Sequence, residues 1–82
     1  MIKSLYILKG TTGRYYIGST ENVDKRLHRH NSGSVHSTKR IGIPLKLVAI
    51  QEFSTTQDAR KAERKYKSWK NPKKVIETML NA

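Results

Sequence analysis

Cysteine is absent from this 82-residue sequence, and tryptophan and phenylalanine occur once each. Without cysteine the chain can form neither a disulfide framework nor a thiolate metal site. Long apolar runs are absent as well, since no stretch approaches the roughly 18 residues that a membrane-spanning helix needs. The first residues, Met1 to Ser4, do not have the apolar core of a secretory signal peptide. These absences predict a cytoplasmic protein without a membrane segment.

Acidic residues are also scarce. Six Asp and Glu residues face 17 Lys and Arg residues, which gives the chain a formal net charge of +11. A field of this sign attracts polyanions, and nucleic acid is the partner that it favours most. An anionic membrane surface is the weaker alternative, because no clearly amphipathic, membrane-binding helix is evident in the sequence. The length corresponds to a single domain over residues 1–82.

Two short strand-like runs near the N-terminus predict a β-hairpin. Residues 5–8 and 15–18 are rich in aromatic and β-branched side chains, and a Gly-Thr-Thr-Gly segment lies between them. The hairpin brings Tyr6 and Tyr16 near one another. Because side chains alternate along strands, a loop with an odd number of residues places both rings on one face. An even loop opposes them unless a bulge intervenes.

The rest of the chain alternates helical and strand patterns. Thr20 or Asn22 can cap a first helix, which a left-handed Gly33 would end. Residues 34–44 are predicted as a loop, and the apolar run 45–53 as the central strand. Two further helices are predicted over residues 57–69 and 73–80. The predicted fold is α+β, with a three-stranded antiparallel sheet covered by helices in the order β-β-α-β-α-α.

Polar side chains suited to acid–base chemistry lie along these elements. Arg26 and His30 are about one helical turn apart and border the apolar pair of Val23 and Leu27, so they lie at the edge of a buried face. Glu63 is the only acidic residue in the strongly basic stretch between residues 60 and 74. A more ordinary reading exists for both kinds of group. The histidine could be a helix C-terminal cap, and the glutamate a surface carboxylate paired with a lysine.

Two tripeptides on the predicted hairpin favour a role in acid–base chemistry for these side chains. Tyr16-Ile17-Gly18 reproduces in full the second of the two motifs that name the GIY-YIG nuclease domain, and the chain resembles that family. Ser4-Leu5-Tyr6 stands where the first motif would be and keeps only its tyrosine. The resemblance extends from about Leu5 to Met79. Further residues at similar spacing are Thr20, Arg26, Leu27, His30, Asn31, Gly33, Ala62, Glu63, Lys67, Trp69 and Lys74.

The resemblance implies an endonuclease that hydrolyses phosphodiester bonds in nucleic acid with the help of a metal ion. Its catalytic residues would be Tyr6, Tyr16, Arg26, His30 and Glu63. One tyrosine would activate water and the other would position water or the phosphate; family members differ on which. Arg26 would fork onto two oxygens of the scissile phosphate, and it could lower the pKa of a tyrosine. Glu63 would bind Mg²⁺, with Mn²⁺ as a substitute.

Other basic residues are expected to contact the nucleic-acid backbone, namely His36, Lys39, Arg40, Lys67 and Lys74. We expect the five catalytic side chains to converge on one concave basic face. Tyr15 is predicted to fill the core, and the structural alternative for Trp69 is an anchor of that core. Ser19 departs from the excision-repair nucleases that the chain resembles, because those proteins have a lysine at this position.

The expected substrate is DNA, cut with low sequence specificity, since phosphate contacts position a protein without specifying a sequence. No small-molecule cofactor is expected. The chain is expected to act as a monomer or weak dimer, with a link to DNA repair through the family. Two alternatives stay open: a catalytically silent nucleic-acid-binding module of the same fold, and a small basic structural or ribosome-associated protein.

Overall fold

The structure is a computed structural model that describes residues 3–81. Met1 and Ile2, which begin the segment compared with a signal peptide, lie outside this range. The elements in chain order are β1 (Lys3–Lys9), β2 (Tyr15–Thr20), α1 (Val23–Asn31), α2 (His36–Lys39), β3 (Lys46–Phe53), α3 (Thr56–Trp69) and α4 (Pro72–Leu80). Within this range no helix has the length and apolar character needed to cross a membrane.

The three strands form one antiparallel sheet in the order β2-β1-β3. This confirms the predicted α+β architecture. The prediction that the third strand is central was wrong, because β1 lies in the middle and β3 at an edge. Every residue of β1 from Ser4 to Leu8 is buried, whereas Leu47 and Ile50 of β3 are exposed. A central strand needs apolar residues on both of its faces when helices cover both sides of the sheet.

The register of the first hairpin places the two candidate catalytic tyrosines on one face. Lys9 pairs with Tyr15, so the loop spans residues 10–14 and has an odd length. Gly18 lies directly opposite Tyr6, and Tyr16 lies opposite Leu8. Because paired residues of antiparallel strands project to the same side, Tyr6 and Tyr16 share a face of the sheet with Gly18.

Helices cover both faces of the sheet. On the face opposite Tyr6, here called the α3 face, the buried residues are Leu5, Ile7, Ala49, Tyr66, Val75 and Met79. Tyr15 and Trp69 pack against this cluster, as predicted. On the Tyr6 side, called the α1 face, Val23 and Leu27 of α1 pack against a second cluster that contains Tyr6 itself. The sheet therefore separates two apolar layers.

Local signals set the ends of the helices. The Asn22 side chain accepts a hydrogen bond from the Lys25 backbone and caps α1, which confirms one of the two predicted caps. Pro72 occupies the first turn of α4, where a missing N–H costs nothing. The predicted loop over 34–44 needs one correction, since it contains the short helix α2. No side chain caps this four-residue helix and no apolar period marks it, which explains why the sequence pattern did not reveal it.

Any larger residue at position 18 is predicted to destabilise the fold, because two aromatic side chains occupy the space beside the Cα atom of Gly18. A Cβ atom at this position would lie 2.6 Å from the Tyr6 hydroxyl and 2.8 Å from a ring carbon of Tyr16. We expect Gly18→Ala to lower the free energy of unfolding by about 1–3 kcal/mol, the usual cost of overpacking a core. Chemical denaturation measures this change. Ser19→Ala on the same strand is the control, and equal stability of the two variants would contradict the steric argument.

Candidate functional site

A buried hydrogen-bonded pair lies at the centre of the α1 face. The Tyr6 hydroxyl is 2.9 Å from Nε2 of His30, and both residues are almost completely buried. Tyr6 comes from the central strand β1 and His30 from the last turn of α1. Nδ1 of His30 is in turn 2.8 Å from the hydroxyl oxygen of Thr38 on α2. The sequence predicted His30 at the edge of the buried face, whereas in the structure its side chain is fully buried.

Tyr16 completes an aromatic group around this pair. Its ring centroid lies 5.1 Å from that of His30 and 6.2 Å from that of Tyr6, with the rings tilted in both contacts. Tyr16 is half-buried, whereas Tyr6 is only 2% exposed. Tyr16 is therefore the more accessible of the two tyrosines, and Tyr6 is the one with a hydrogen-bonded imidazole beside its hydroxyl.

Burial makes Tyr6 a weaker acid than a free tyrosine. It raises the pKa of the Tyr6 hydroxyl well above its usual value, and Tyr16 and Glu63 add to this increase. Arg26 acts in the opposite direction but does not outweigh burial. Arg26 thus lowers the pKa of Tyr6, as expected, but the larger effect of burial makes the net shift upward. Its hydroxyl keeps its proton at neutral pH and needs a neighbouring acceptor to take part in proton transfer.

His30 has the properties of such an acceptor. Burial lowers the pKa of its imidazole below the usual 6.5, and the positive charges of Arg26 and Arg29 lower it further. A lowered pKa keeps the ring neutral at pH 7, so one ring nitrogen has a free lone pair. The pair therefore combines a protonated phenol with a neutral imidazole at hydrogen-bonding distance.

The lowered pKa of His30 predicts an acid-dependent loss of stability. As the pH falls through 6.5, the unfolded chain binds a proton at this histidine that the folded chain refuses, so the free energy of unfolding decreases. The stability of the native state is fully present above pH 6.5. Chemical denaturation between pH 5 and 7.5 measures the slope. We expect His30→Gln to remove it and His28→Gln, at an exposed position, to retain it; the reverse pattern would contradict the assignment.

Arg26 and Glu63 approach Tyr6 from different sides of the sheet. Arg26 is on α1, whereas Glu63 is on α3, which packs against the opposite face. Both charges still act on the Tyr6 hydroxyl, one lowering and one raising its pKa. The prediction that all five side chains converge on one concave face is therefore wrong for Glu63. Glu63 comes from the α3 face, and its charge reaches the tyrosine of the α1 face.

Glu63 currently pairs with a lysine. One of its carboxylate oxygens accepts a hydrogen bond from the Lys67 amine at 3.0 Å, an i, i+4 contact near the surface. Residues 3–81 contain no cluster of three or more His, Cys, Asp or Glu side chains that could hold a metal ion. A single carboxylate still suits Mg²⁺, because this ion keeps several waters and takes its other ligands from phosphate oxygens. The carboxylate of Glu63 thus suits Mg²⁺ as a single protein ligand. The described residues offer no group of side chains that could surround the ion by themselves.

The predicted nucleic-acid contacts have different environments. His36, Lys39 and Arg40 are exposed on or beside α2. The Lys74 amine lies 4.9 Å from the centre of the Trp69 ring, which is a cation–π contact. Lys67 and Tyr16 line a shared cleft of about 360 Å³ between β2 and the α3–α4 corner. Lys67, the ion-pair partner of Glu63, therefore lines the same cleft as the accessible tyrosine.

Sequence reasoning missed two features of the site. The first is a cleft of about 570 Å³ along α1, lined by Arg26, Lys25, Arg29 and polar side chains that include Thr20. The dense basic run from Lys25 to Arg29 was the sequence feature that could have indicated this cleft. The second is Thr38, which is fully buried against His30. It lies in a polar segment without periodicity, and no sequence signal indicates its burial.

The comparisons with known proteins agree with this geometry. Residues 2–75 match the GIY-YIG catalytic domain. A UPF0213 protein of Streptococcus pneumoniae is 39% identical over 70 residues, which cover 85% of this chain and 71% of the relative. A UPF0213 protein of Bacillus licheniformis is 39% identical over 74 residues, covering 88% of this chain and 76% of the relative.

A solved structure shows the same fold. The solution NMR structure of the UPF0213 protein BH0048 from Bacillus halodurans superposes with a TM-score of 0.60 at 32% identity, and the match covers 98% of this chain and 85% of that one. The sequence similarity, the fold and the two tyrosines on one face of the sheet all indicate the same family. The chain therefore belongs to the GIY-YIG family of nuclease-type catalytic domains and is similar to the UPF0213 proteins.

Proposed function

We propose that this protein is a metal-dependent endonuclease that hydrolyses phosphodiester bonds in DNA with low sequence specificity. The observation that supports this most is the buried Tyr6–His30 hydrogen bond, with Tyr16 beside it and the charges of Arg26 and Glu63 acting on it. DNA binding alone does not need a buried phenol–imidazole pair, whereas phosphodiester hydrolysis by general acid–base catalysis can use one to move a proton.

The pair suggests how a water molecule becomes a nucleophile. The Tyr6 hydroxyl accepts a proton from the attacking water while His30 Nε2 accepts the original phenolic proton, so no free phenolate needs to form. This coupling matters because the pKa of Tyr6 is raised by burial. Tyr16, which is more exposed, positions the water or the phosphate. The water then attacks phosphorus, and the bond to the leaving oxygen breaks.

Arg26 and Glu63 are the residues that would stabilise the negative charge of the transition state. The guanidinium of Arg26 binds two non-bridging phosphate oxygens and stabilises the additional charge of the transition state. Glu63 would hold Mg²⁺, and the ion would supply positive charge that stabilises the transition state. The carboxylate would then give up its surface contact with Lys67. Lys67 is then free to contact the DNA backbone.

The distribution of basic residues supports DNA as a ligand bound through its backbone. The cleft along α1 offers Lys25 and Arg29 beside Arg26, and the exposed α2 segment adds Lys39 and Arg40. We expect binding to be tolerant of sequence and strongly dependent on salt. The logarithm of the affinity should fall with the logarithm of salt concentration at about −0.9 per phosphate neutralised, several units in all. Fluorescence anisotropy with two unrelated duplexes measures this, and a flat titration would contradict it.

Plasmid nicking tests the proposed activity. Supercoiled DNA is incubated with the purified protein and Mg²⁺ or Mn²⁺, and with an excess of chelator in a parallel sample. We expect relaxed circles only in the samples that contain the metal. Salt-dependent binding without any cleavage, on duplex, single-stranded and branched DNA, would instead support the alternative of a catalytically silent binding module.

A further inference from the structure

Thr38 links helix α2 to the candidate proton-transfer pair. Its hydroxyl oxygen lies 2.8 Å from Nδ1 of His30 and 3.2 Å from the carbonyl oxygen of Val35. Both Thr38 and His30 are fully buried. Water is therefore excluded, and each polar atom in this chain of contacts must be satisfied by the protein itself.

The contact of Thr38 with the Val35 carbonyl, which also accepts the Lys39 backbone N–H at 3.1 Å, favours one direction for these hydrogen bonds. A threonine hydroxyl has a single hydrogen, and the Val35 carbonyl can only accept. When Thr38 donates to Val35, its oxygen can only accept from His30, so the proton of the neutral imidazole is on Nδ1. Nε2 then has a free lone pair. The Tyr6 hydroxyl must donate to it, and the lone pairs of the phenolic oxygen face away from His30.

We propose that Thr38 is a positioning residue that holds His30 in the Nδ1–H tautomer, so that Nε2 can accept the Tyr6 proton during catalysis. This inference rests on the proposed function and names the group that orients its acceptor. In the opposite tautomer Nε2–H would donate to Tyr6. The imidazole could then not receive the phenolic proton, and Tyr6 could not act on water.

Nitrogen NMR of the histidine rings tests the tautomer without reference to activity. The chain has three histidines, and His30→Gln identifies the signals of His30. At pH 8 in the wild-type protein, we expect Nδ1 of His30 to have the shift of a protonated ring nitrogen and Nε2 that of an unprotonated one. A protonated Nε2 as the main form would overturn the proposal.

Two substitutions separate positioning from folding. Thr38→Val keeps the shape and removes the hydroxyl, and we expect the ring signals of His30 to move toward a mixture of tautomers. Thr38→Ser restores the hydroxyl and is expected to restore the Nδ1–H form. Tyr6→Phe should leave that form in place, because Thr38 sets it. An unchanged tautomer in Thr38→Val, or a lost one in Tyr6→Phe, would show that Tyr6 sets it instead, and would overturn the proposal.

Cleavage kinetics supply the second readout. We expect Thr38→Val to lower kcat roughly 10- to 100-fold, by analogy with metal-bound histidines that lose their outer hydrogen-bond partner. DNA affinity should not change, and Thr38→Ser should recover most of the rate. A Thr38→Val enzyme with wild-type kcat overturns the positioning role. If the wild-type protein cleaves nothing while the tautomer results hold, the proposed function fails and the assignment of Thr38 to the His30 tautomer stands.

Discussion

We expect Glu63→Gln to abolish metal-dependent cleavage while leaving DNA binding intact or stronger. The substitution keeps the size of the side chain and removes the charge that would hold Mg²⁺, so cleavage should fall by a factor on the order of 10² or more. Without the ion, a carboxylate in this basic stretch repels phosphate, and its removal should not weaken binding. Plasmid nicking and fluorescence anisotropy, performed on the same preparations, measure the two effects separately.

Glu77→Gln is the matched control for this experiment. Glu77 lies exposed on α4 and loses the same charge in the same type of element. Losing the surface contact between Glu63 and Lys67 should cost little stability, since exposed pairs of this kind contribute only about 0.3–0.5 kcal/mol. The two variants should therefore unfold at similar denaturant concentrations. Wild-type nicking by Glu63→Gln would refute the assignment of the metal ion to Glu63.

Tyr6→Phe is expected to have the second large effect. It removes one oxygen atom, keeps the ring that packs beside Gly18, and leaves His30 Nε2 without its partner. Loss of a group that transfers a proton in the transition state typically costs about 10²- to 10⁴-fold in rate. We expect kcat to fall within this range with little change in DNA affinity, measured by single-turnover cleavage.

Two other tyrosines serve as comparisons. Tyr15→Phe makes the same change on the α3 face and should leave cleavage unaffected. Tyr16→Phe is expected to cause a smaller loss than Tyr6→Phe, because Tyr16 positions rather than transfers a proton. If Tyr16→Phe abolished cleavage and Tyr6→Phe did not, the roles would be reversed, with Tyr16 as the base and Tyr6 as a buried support for His30.

The local elements of this fold were predictable because local chemistry determines them. The caps at Asn22 and Thr55 and the helix-starting Pro72 act over a few residues. The length of the hairpin loop was left open by the sequence, and the pairing of Lys9 with Tyr15 shows that it is odd. Strand order was not predictable in the same way. Residues 45–53 form an apolar run, yet β3 is at an edge, since the position of a strand depends on pairing between segments distant in sequence.

The candidate site was likewise predictable only in part. The family motifs identified Tyr6, Tyr16 and His30, and the structure brings these three together. Sequence alone could not show that burial outweighs the effect of Arg26 on the pKa of Tyr6. Nor could it show the partner of His30, because the burial of Thr38 depends on how α2 packs after the whole chain has folded.

The central position of β1 determines how much the candidate base can move. Tyr6 pairs with Gly18 on one side and with Ile50 on the other, so its backbone is held by both neighbouring strands. Amides in such a strand exchange with solvent only when the entire domain opens, whereas short peripheral helices such as α2 open at much lower free energy. We therefore expect Tyr6 to lie in the most slowly exchanging part of the protein. Adjustment of the protein to a bound ligand is then expected to come from α1 and α2.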